Sequence, residues 1–439
     1  MSVHRLGVAP LLDLAVTSRS IVRKPLWIPV VSSGLEAGAE MEMESTQLKA
    51  QGALPLDPGF GESGQVRPNL QSGSVRAMQL SADESVYFTA WQNENALYRT
   101  TPDGGVDPSF GNGTGHVKWR FVSGEESRPS CVLVQADHKI LVIGDTRRDG
   151  TGRVALTRFH SSGSPDLVFG TVLIPVLDEE YVLLELVSGC LQSDGKILVT
   201  FSYRTAEGRL SLLIRLTAAT GSLDMSFGNG GVAEVKHADY PIELRSVLVR
   251  DDGKIIVGGT ADDQLVIACV TPNGEVDTTF ADKGFGFYRS PGTPLRMRQM
   301  VAQADGKLVC AGAAYIGNSR TVGMVMRFNA DASPDSSFNG ASPVLTDAER
   351  NTFWNALAIQ SDGKIVMTGN NANLQILVIA ARLLPDGRPD TSFGGNGWGS
   401  LGVGGLSWGV SVQSNRIIVA GENLNDAGAR TPTVYGVQL

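Results

Sequence analysis

From Asp57 to Leu439 the chain alternates short apolar runs with turn residues, and the alternation itself repeats. The clearest copy reads Trp354–Ile359, Gln360–Lys364 (Gln-Ser-Asp-Gly-Lys), Ile365–Thr368, Ile376–Leu383, Pro385–Gly387 and Asp390–Phe393. Apolar runs this short, bounded by Gly, Asp and Pro, predict strands. Asp-Gly between two such runs is a strong hairpin signal, because both residues tolerate positive φ. The run before it is strand A and the run after it strand B. Ile376–Leu383 and Leu210–Leu216 exemplify a strand C, and Gly231–Val235 and Gly113–Lys118 a strand D. The A–B turn recurs at Gln192–Lys196 and Gln303–Lys307, with Arg250–Lys254 a near copy and Asp137–Lys139 a degenerate one.

Between strands C and D lies Asp-x-x-Phe. It occurs as Asp57–Phe60, Asp107–Phe110, Asp166–Phe169, Asp224–Phe227, Asp277–Phe280, Asp335–Phe338 and Asp390–Phe393, spaced 50 to 59 residues apart. A period of this size marks an array of supersecondary units. Asp caps a helical turn well, and Pro58 and Pro108 occupy the next position, where such a turn accepts proline. The segment therefore predicts one capped turn that drops Phe between neighbouring units. Strand C carries a recurrent Arg at Arg99, Arg158, Arg215, Arg327 and Arg382, with Cys269 and Gln438 expected at the equivalent places in the other two units. An inward Arg beside the Asp predicts a structural ion pair, since a buried charge needs a partner.

Four short strands in each unit describe a propeller blade. The expected fold is all-β: a seven-bladed β-propeller of four-stranded antiparallel blades. The chain stops inside a strand C, and the repeat begins with Asp57–Phe60 followed by a strand D at Gly64–Arg67. An N-terminal strand is thus expected to complete the last blade and close the ring, hiding edges that would otherwise invite aggregation. Residues 51–439 form the propeller, and residues 1–50 are a non-repeat N-terminal extension expected to be poorly ordered.

Composition adjusts this picture only at its margins. The 52 glycines recur at fixed places in the repeat, which argues for tight turns. A formal charge of −8 argues against a nucleic-acid partner. No apolar window is long enough to span a membrane. The apolar stretch Leu6–Val16 is broken by Pro10 and Asp13 and matches a secretory signal poorly, which points to the cytoplasm or to export by a non-Sec route. Met41 and Met43 just before the repeats raise a start downstream of Met1 as a hypothesis. Cys131, Cys190, Cys269 and Cys310 fall in different repeats without a C-x-x-C pair, and read as small buried hydrophobes.

The combination Asp-Gly-Lys-Ile-x-Val-x-Gly, an Arg-bearing strand and Pro-Asp-Gly-x-x-Asp-x-Ser-Phe-Gly resembles the bacterial delta-60 repeat family. Its best copies are Asp362–Gly369 with Pro385–Gly394, and Asp252–Gly259 with Pro272–Phe280. The resemblance implies a β-propeller-like repeat protein and carries no catalytic residue over.

Candidate chemistry is sparse. His4, His116, His138, His160 and His237 lie apart and offer no metal-ligand spacing. Asp103–Asp107 and Asp386–Asp390 lack the alternating oxygens of a calcium loop and read as tight turns. Neither a metal nor a cofactor is expected, and no local motif nominates a catalytic residue. The informative residues are those that do not repeat, on the B–C and D–A connections, because variable loops on a rigid frame carry binding. Candidate ligand contacts there are Trp91, Trp119, Arg147, Arg148, Tyr203, Tyr288, Tyr315 and Arg320, types suited to protein or glycan recognition. Trp354 and Trp408 adjoin strand A and read as core. The resulting expectation is a monomeric, non-catalytic binding or scaffold module with a protein or carbohydrate ligand. Its rivals are a lyase or hydrolase with a central-channel site, and a structural component of a larger assembly.

Overall fold

The computed structural model describes residues 52–68, 72–91, 95–148, 151–174, 187–205, 208–317, 320–348, 351–372, 376–424 and 428–439. The expected extension, residues 1–50, and the D–A connection Asp178–Tyr181 lie outside the described residues. Every described strand pairs antiparallel with its sheet neighbours. In the fifth sheet, for example, Leu295–Ala302, Leu308–Ile316, Arg320–Phe328 and Val344–Thr346 follow one another in chain order from inside to outside. The A–B hairpins form as the sequence predicts. Gly363 takes φ 81° and donates to Gln360 O at 2.9 Å, while Lys364 N donates to Asp362 Oδ1 at 3.1 Å.

The blade number departs from the sequence expectation. Five sheets are four-stranded antiparallel blades, and the seven strands from Thr352 onward form, with Gln65–Val66, one eight-stranded sheet instead of two further blades. The propeller therefore has five four-stranded blades, not seven. The fusion rests on the pair Gly404↔Leu424, where the strand Trp398–Gly404 reaches the strand Arg416–Leu424. Signatures count turns, whereas sheets are defined by continuous backbone pairing. That pairing bridges two sequence units here.

The chain ends meet in the same sheet. Gln65–Val66 pairs with the C-terminal strand Arg430–Gln438 through Gln65↔Tyr435 and Val66↔Val434. Leu54 N donates to Ser400 O at 2.8 Å, and Leu54 is itself buried. The first blade then packs on this sheet, with Val75 and Phe88 against Ile418 and Val434.

Each Asp-x-x-Phe is a tight turn of the kind expected. Asp Oδ1 accepts the backbone N–H two residues on, from 2.8 Å at Ser109 to 3.1 Å at Ser392. The Phe side chains are at most 8 % exposed, so each contributes about 2 kcal/mol of burial. They plug the gaps between sheets by a repeated interlock. Phe110 meets Gly163 of the next unit, Phe169 meets Gly221, and Phe338 meets Gly387, glycines with φ of 87°, 68° and 89° where a Cβ has no room.

The strand C arginines bind the turn aspartates at 2.7–3.0 Å: Arg99–Asp107, Arg158–Asp166, Arg215–Asp224, Arg327–Asp335 and Arg382–Asp390. Four of these guanidiniums also cover the Phe of their own turn, from 4.4 Å for Arg158 over Phe169 to 4.8 Å for Arg382 over Phe393. The A–B lysines converge on the same carboxylates, as Lys307 does on Asp335 at 3.1 Å. Where Cys269 replaces Arg, Lys254 closes on Asp277 to 2.7 Å. The position expected at Gln438 belongs instead to Gly436, whose carbonyl accepts Asp57 N at 2.9 Å just as Arg382 O accepts Asp390 N at 3.0 Å. Phe60 crowds that Gly, and Arg416 from the neighbouring strand supplies the charge to Asp57 at 3.1 Å.

Candidate functional site

The innermost strands surround a cavity of about 820 Å³ on the propeller axis. Its shape and content follow from a repeated irregularity. In six of these strands a β-bulge interrupts the register, at Arg76, Ser130, Arg245, Arg298, Asn355 and Trp408. A bulge re-aims the extra side chain, and all six residues line the cavity. The recurring Gly of the Asp-Gly-Lys-Ile-x-Val-x-Gly motif makes the bulge possible. A Cβ at Gly144, Gly259, Gly312 or Gly369 would overlap the carbonyl that the bulge pushes across, that of Arg128, Glu243, Arg296 or Phe353 respectively. In the first blade Ala90 stands at this place.

The wall is cationic although the chain is acidic. Arg76, Arg128, Arg147, Arg245 and Arg298 line it, with Asp145 the acidic lining residue among those described. Three of the arginines have carboxylate partners. Arg128 binds Glu126 at 2.9 Å, Arg147 binds Asp145 at 2.7 Å, and Arg245 binds Glu243, which Arg209 also holds. Arg76 lies between two indoles, 4.2 Å from the Trp408 ring and 5.1 Å from Trp91, and Arg128 lies 5.6 Å from Trp91. The guanidiniums and rings thus form a ladder across the seam between the first blade and the closing sheet.

Burial lowers the pKa of Arg76, opposed by Glu422, with Arg128 and Arg430 adding to the shift. Glu422 stands behind it, 1 % exposed and 3.3 Å from Arg430, and burial raises its carboxyl above the usual range. Burial does the same to Asp145 against the hydrogen bond from Arg147. Cys131 and Cys190 also line the cavity, and burial pushes both thiols up to about 12, so they are unreactive apolar groups.

Of the residues the sequence nominated, Trp91 and Arg147 come to this cavity. Arg148 follows on the same strand, exposed and opposite Thr151. Trp119 sits on the outer strand of the first blade, edge-on to Phe121 at 4.7 Å. Tyr203 is 2 % exposed and packs edge-on to Phe201 of its own strand at 5.0 Å, within a core shared with the second blade. Tyr288 packs against Phe328 at 6.1 Å, Tyr315 faces Thr321 across a hairpin, and Arg320 pairs with Asp347. Trp354 is core, as expected, whereas Trp408 is a cavity residue. Sequence reasoning did not nominate Arg76, Arg128, Arg245 or Arg298, and it ended the D–A connections at Arg128 and Arg298, whereas the structure places all four inside strands. A signal existed: Arg245, Arg298 and Asn355 each lie 14 residues before the motif Gly, at Gly259, Gly312 and Gly369.

Six segments, 85–110, 135–169, 192–227, 250–280, 303–338 and 360–393, match the model of a family described as a domain of unknown function (DUF5122) beta-propeller. The chain is thus a β-propeller repeat protein. No curated protein matches it. Among solved structures it is similar to a catalytically inactive virginiamycin B lyase from Staphylococcus aureus with quinupristin, at a TM-score of 0.51 and 10 % identity over 84 % of this chain and 98 % of that one. A selenomethionine-substituted form of the same enzyme, also from Staphylococcus aureus, gives 0.50 and 11 % over 85 % and 98 %. A polysaccharide lyase gives 0.45 and 12 % over 86 % and 93 %. At these identities the likeness to the two virginiamycin B lyase structures is one of fold.

Proposed function

We propose that the chain is a delta-60-type propeller whose function is to bind a protein or carbohydrate ligand at the variable-loop end of its axis. Residues 51–439 act as one monomeric unit in this reading, and residues 1–50 are a separate extension. The observation that carries it is the set of bulges that aim non-repeating side chains into one cavity. The scaffold residues recur from unit to unit, whereas the six bulge residues are Arg, Ser, Arg, Arg, Asn and Trp. Variation confined to a concave site on a constant frame is the arrangement of a recognition surface.

Ser130→Trp fills the cavity from a bulge while leaving the arginines in place. Affinity capture and a glycan array with the wild-type protein should each return a ligand class that Ser130→Trp loses. Equal capture by both proteins would remove the axial cavity from the reading.

A second reading, a lyase or hydrolase with a channel site, draws on Asp145, a cavity carboxyl with a raised pKa beside Arg147. Asp145→Asn separates the two. A binding module keeps ligand capture and shows no turnover before or after the change, and an enzyme loses turnover.

A further inference from the structure

Two of the five cavity arginines stand apart. Among the described residues, the guanidiniums of Arg76 and Arg298 have no carboxylate within ion-pair distance and donate no hydrogen bond, and both residues are half-buried in the cavity wall. They come from the first and fifth blades, with three inner strands between them on one side of the ring and two on the other. Arg76 lies between the flanking indoles, and Glu422 behind it attracts the guanidinium without an ion pair among the described residues. Guanidiniums with spare donors that face one concavity repel one another and focus a positive potential on the space between them. Such a site is completed by an anion, and Arg matches the fork of a carboxylate.

The rest of the wall narrows the choice. Gln299 accepts Leu357 N at 2.7 Å through its carbonyl, and its amide N–H groups carry no partner among the described residues. Asn355 spends its amide on Asn370 and Ser407, both at 3.0 Å, and its carbonyl oxygen has no partner among the described residues. One donor and one acceptor on adjacent inner strands suit a hydroxyl, which both donates and accepts. The volume of about 820 Å³ is that of a small-molecule or short-oligomer site.

We propose that the axial cavity binds a carboxylate-bearing saccharide, with Arg76 and Arg298 receiving acid groups and Gln299 and Asn355 receiving hydroxyls. This inference rests on the binding reading above and names its ligand class.

The test is calorimetric titration with three probes: tetragalacturonate, its neutral methyl ester, and a tetraglutamate peptide. The wild-type protein should bind tetragalacturonate with the methyl ester at least about tenfold weaker and the peptide weaker still, as expected for lost charge-assisted bonds. Arg298→Gln and Arg76→Gln should each weaken tetragalacturonate about tenfold or more. Melting temperatures identify any variant that has lost its fold, and Arg298, which holds no internal partner, is the variant expected to keep it. Equal affinity for the methyl ester, a preference for the peptide, or an Arg298→Gln protein that is folded and binds normally would overturn the inference. So would the absence of tetragalacturonate binding at millimolar concentration. In each of those cases the broader reading still stands if the ligand captured on the array or from lysate is lost on Ser130→Trp, and it falls with the inference if that ligand is retained.

Discussion

Replacing Arg327 with Met tests what holds neighbouring blades together. The guanidinium is a hub: its Nε lies 2.7 Å from Asp335 Oδ2, its Nη2 3.1 Å from Ser337 Oγ, and its Nη1 2.6 Å from the Pro385 carbonyl in a turn that follows the closing-sheet strand Ile376–Leu383. It also lies 4.8 Å over the Phe338 ring and is 6 % exposed. Met keeps most of the apolar stem but strands Asp335. Breaking a buried pair in this way costs about 3–5 kcal/mol, and the lower end applies because a second cation remains. That cation is Lys307, 3.1 Å away with its side chain 28 % exposed. The Pro385 carbonyl loses a donor, which adds about 1 kcal/mol. The expected loss is therefore ~3–4 kcal/mol. Urea unfolding of wild type, Arg327→Met, Asp335→Asn and the double variant reads the coupling directly. Lys307→Met, whose cation is solvent-screened, should lose no more than about 1 kcal/mol. The reasoning fails if Arg327→Met unfolds within about 1 kcal/mol of wild type, the range of an exposed pair, or if Lys307→Met costs as much.

Three further outcomes are expected. Lys254→Met should lower the unfolding midpoint more than Lys364→Met does, because Cys269 leaves Asp277 with Lys254 as its ion-pair partner while Asp390 keeps Arg382; parallel melts of the two variants decide it. Gly312→Ala should cost about 1–3 kcal/mol by overpacking and shift Arg298 with the bulge, so its effect on ligand affinity should follow that of Arg298→Gln. Stability should hold above about pH 4 and fall towards pH 2, since the lowered carboxyls sit below their ordinary value of about 3.9. The hydrogen bond from Lys254 brings Asp277 to about 2, and at Asp390 burial opposes the shift but Ser392 and Arg382 prevail, again to about 2. A folded-state pKa below the unfolded one stabilises only while the carboxylate is ionised, so a melting temperature that stays flat from pH 5 to about 2 would contradict this.

Much of the architecture was legible because it is made by local chemistry. The hairpin turns need Asp-Gly, and the C–D turns need an Asp that caps its own backbone and a Phe to bury. The ion pairs joining these motifs were half legible. Arg382 beside Asp390 follows from the repeat, but the convergence of Lys364 on the same carboxylate joins two turns far apart in sequence. In the last unit the register moved the expected position from Gln438 to Gly436, because Phe60 arrives from the other end of the chain.

The sequence by itself determined that this is an all-β repeat protein with antiparallel hairpins, plugged by seven phenylalanines and joined end to end. Those properties depend on residues within one unit or on its repetition. Only the tertiary structure decided the number of blades, since one backbone pair at Gly404 and Leu424 merges strands into an eight-stranded sheet. It also decided where the candidate site lies. A bulge exists in the pairing of two strands, not in either strand alone, and it turns Arg76, Arg245 and Arg298 from the alternating pattern of a core strand into the wall of an axial cavity.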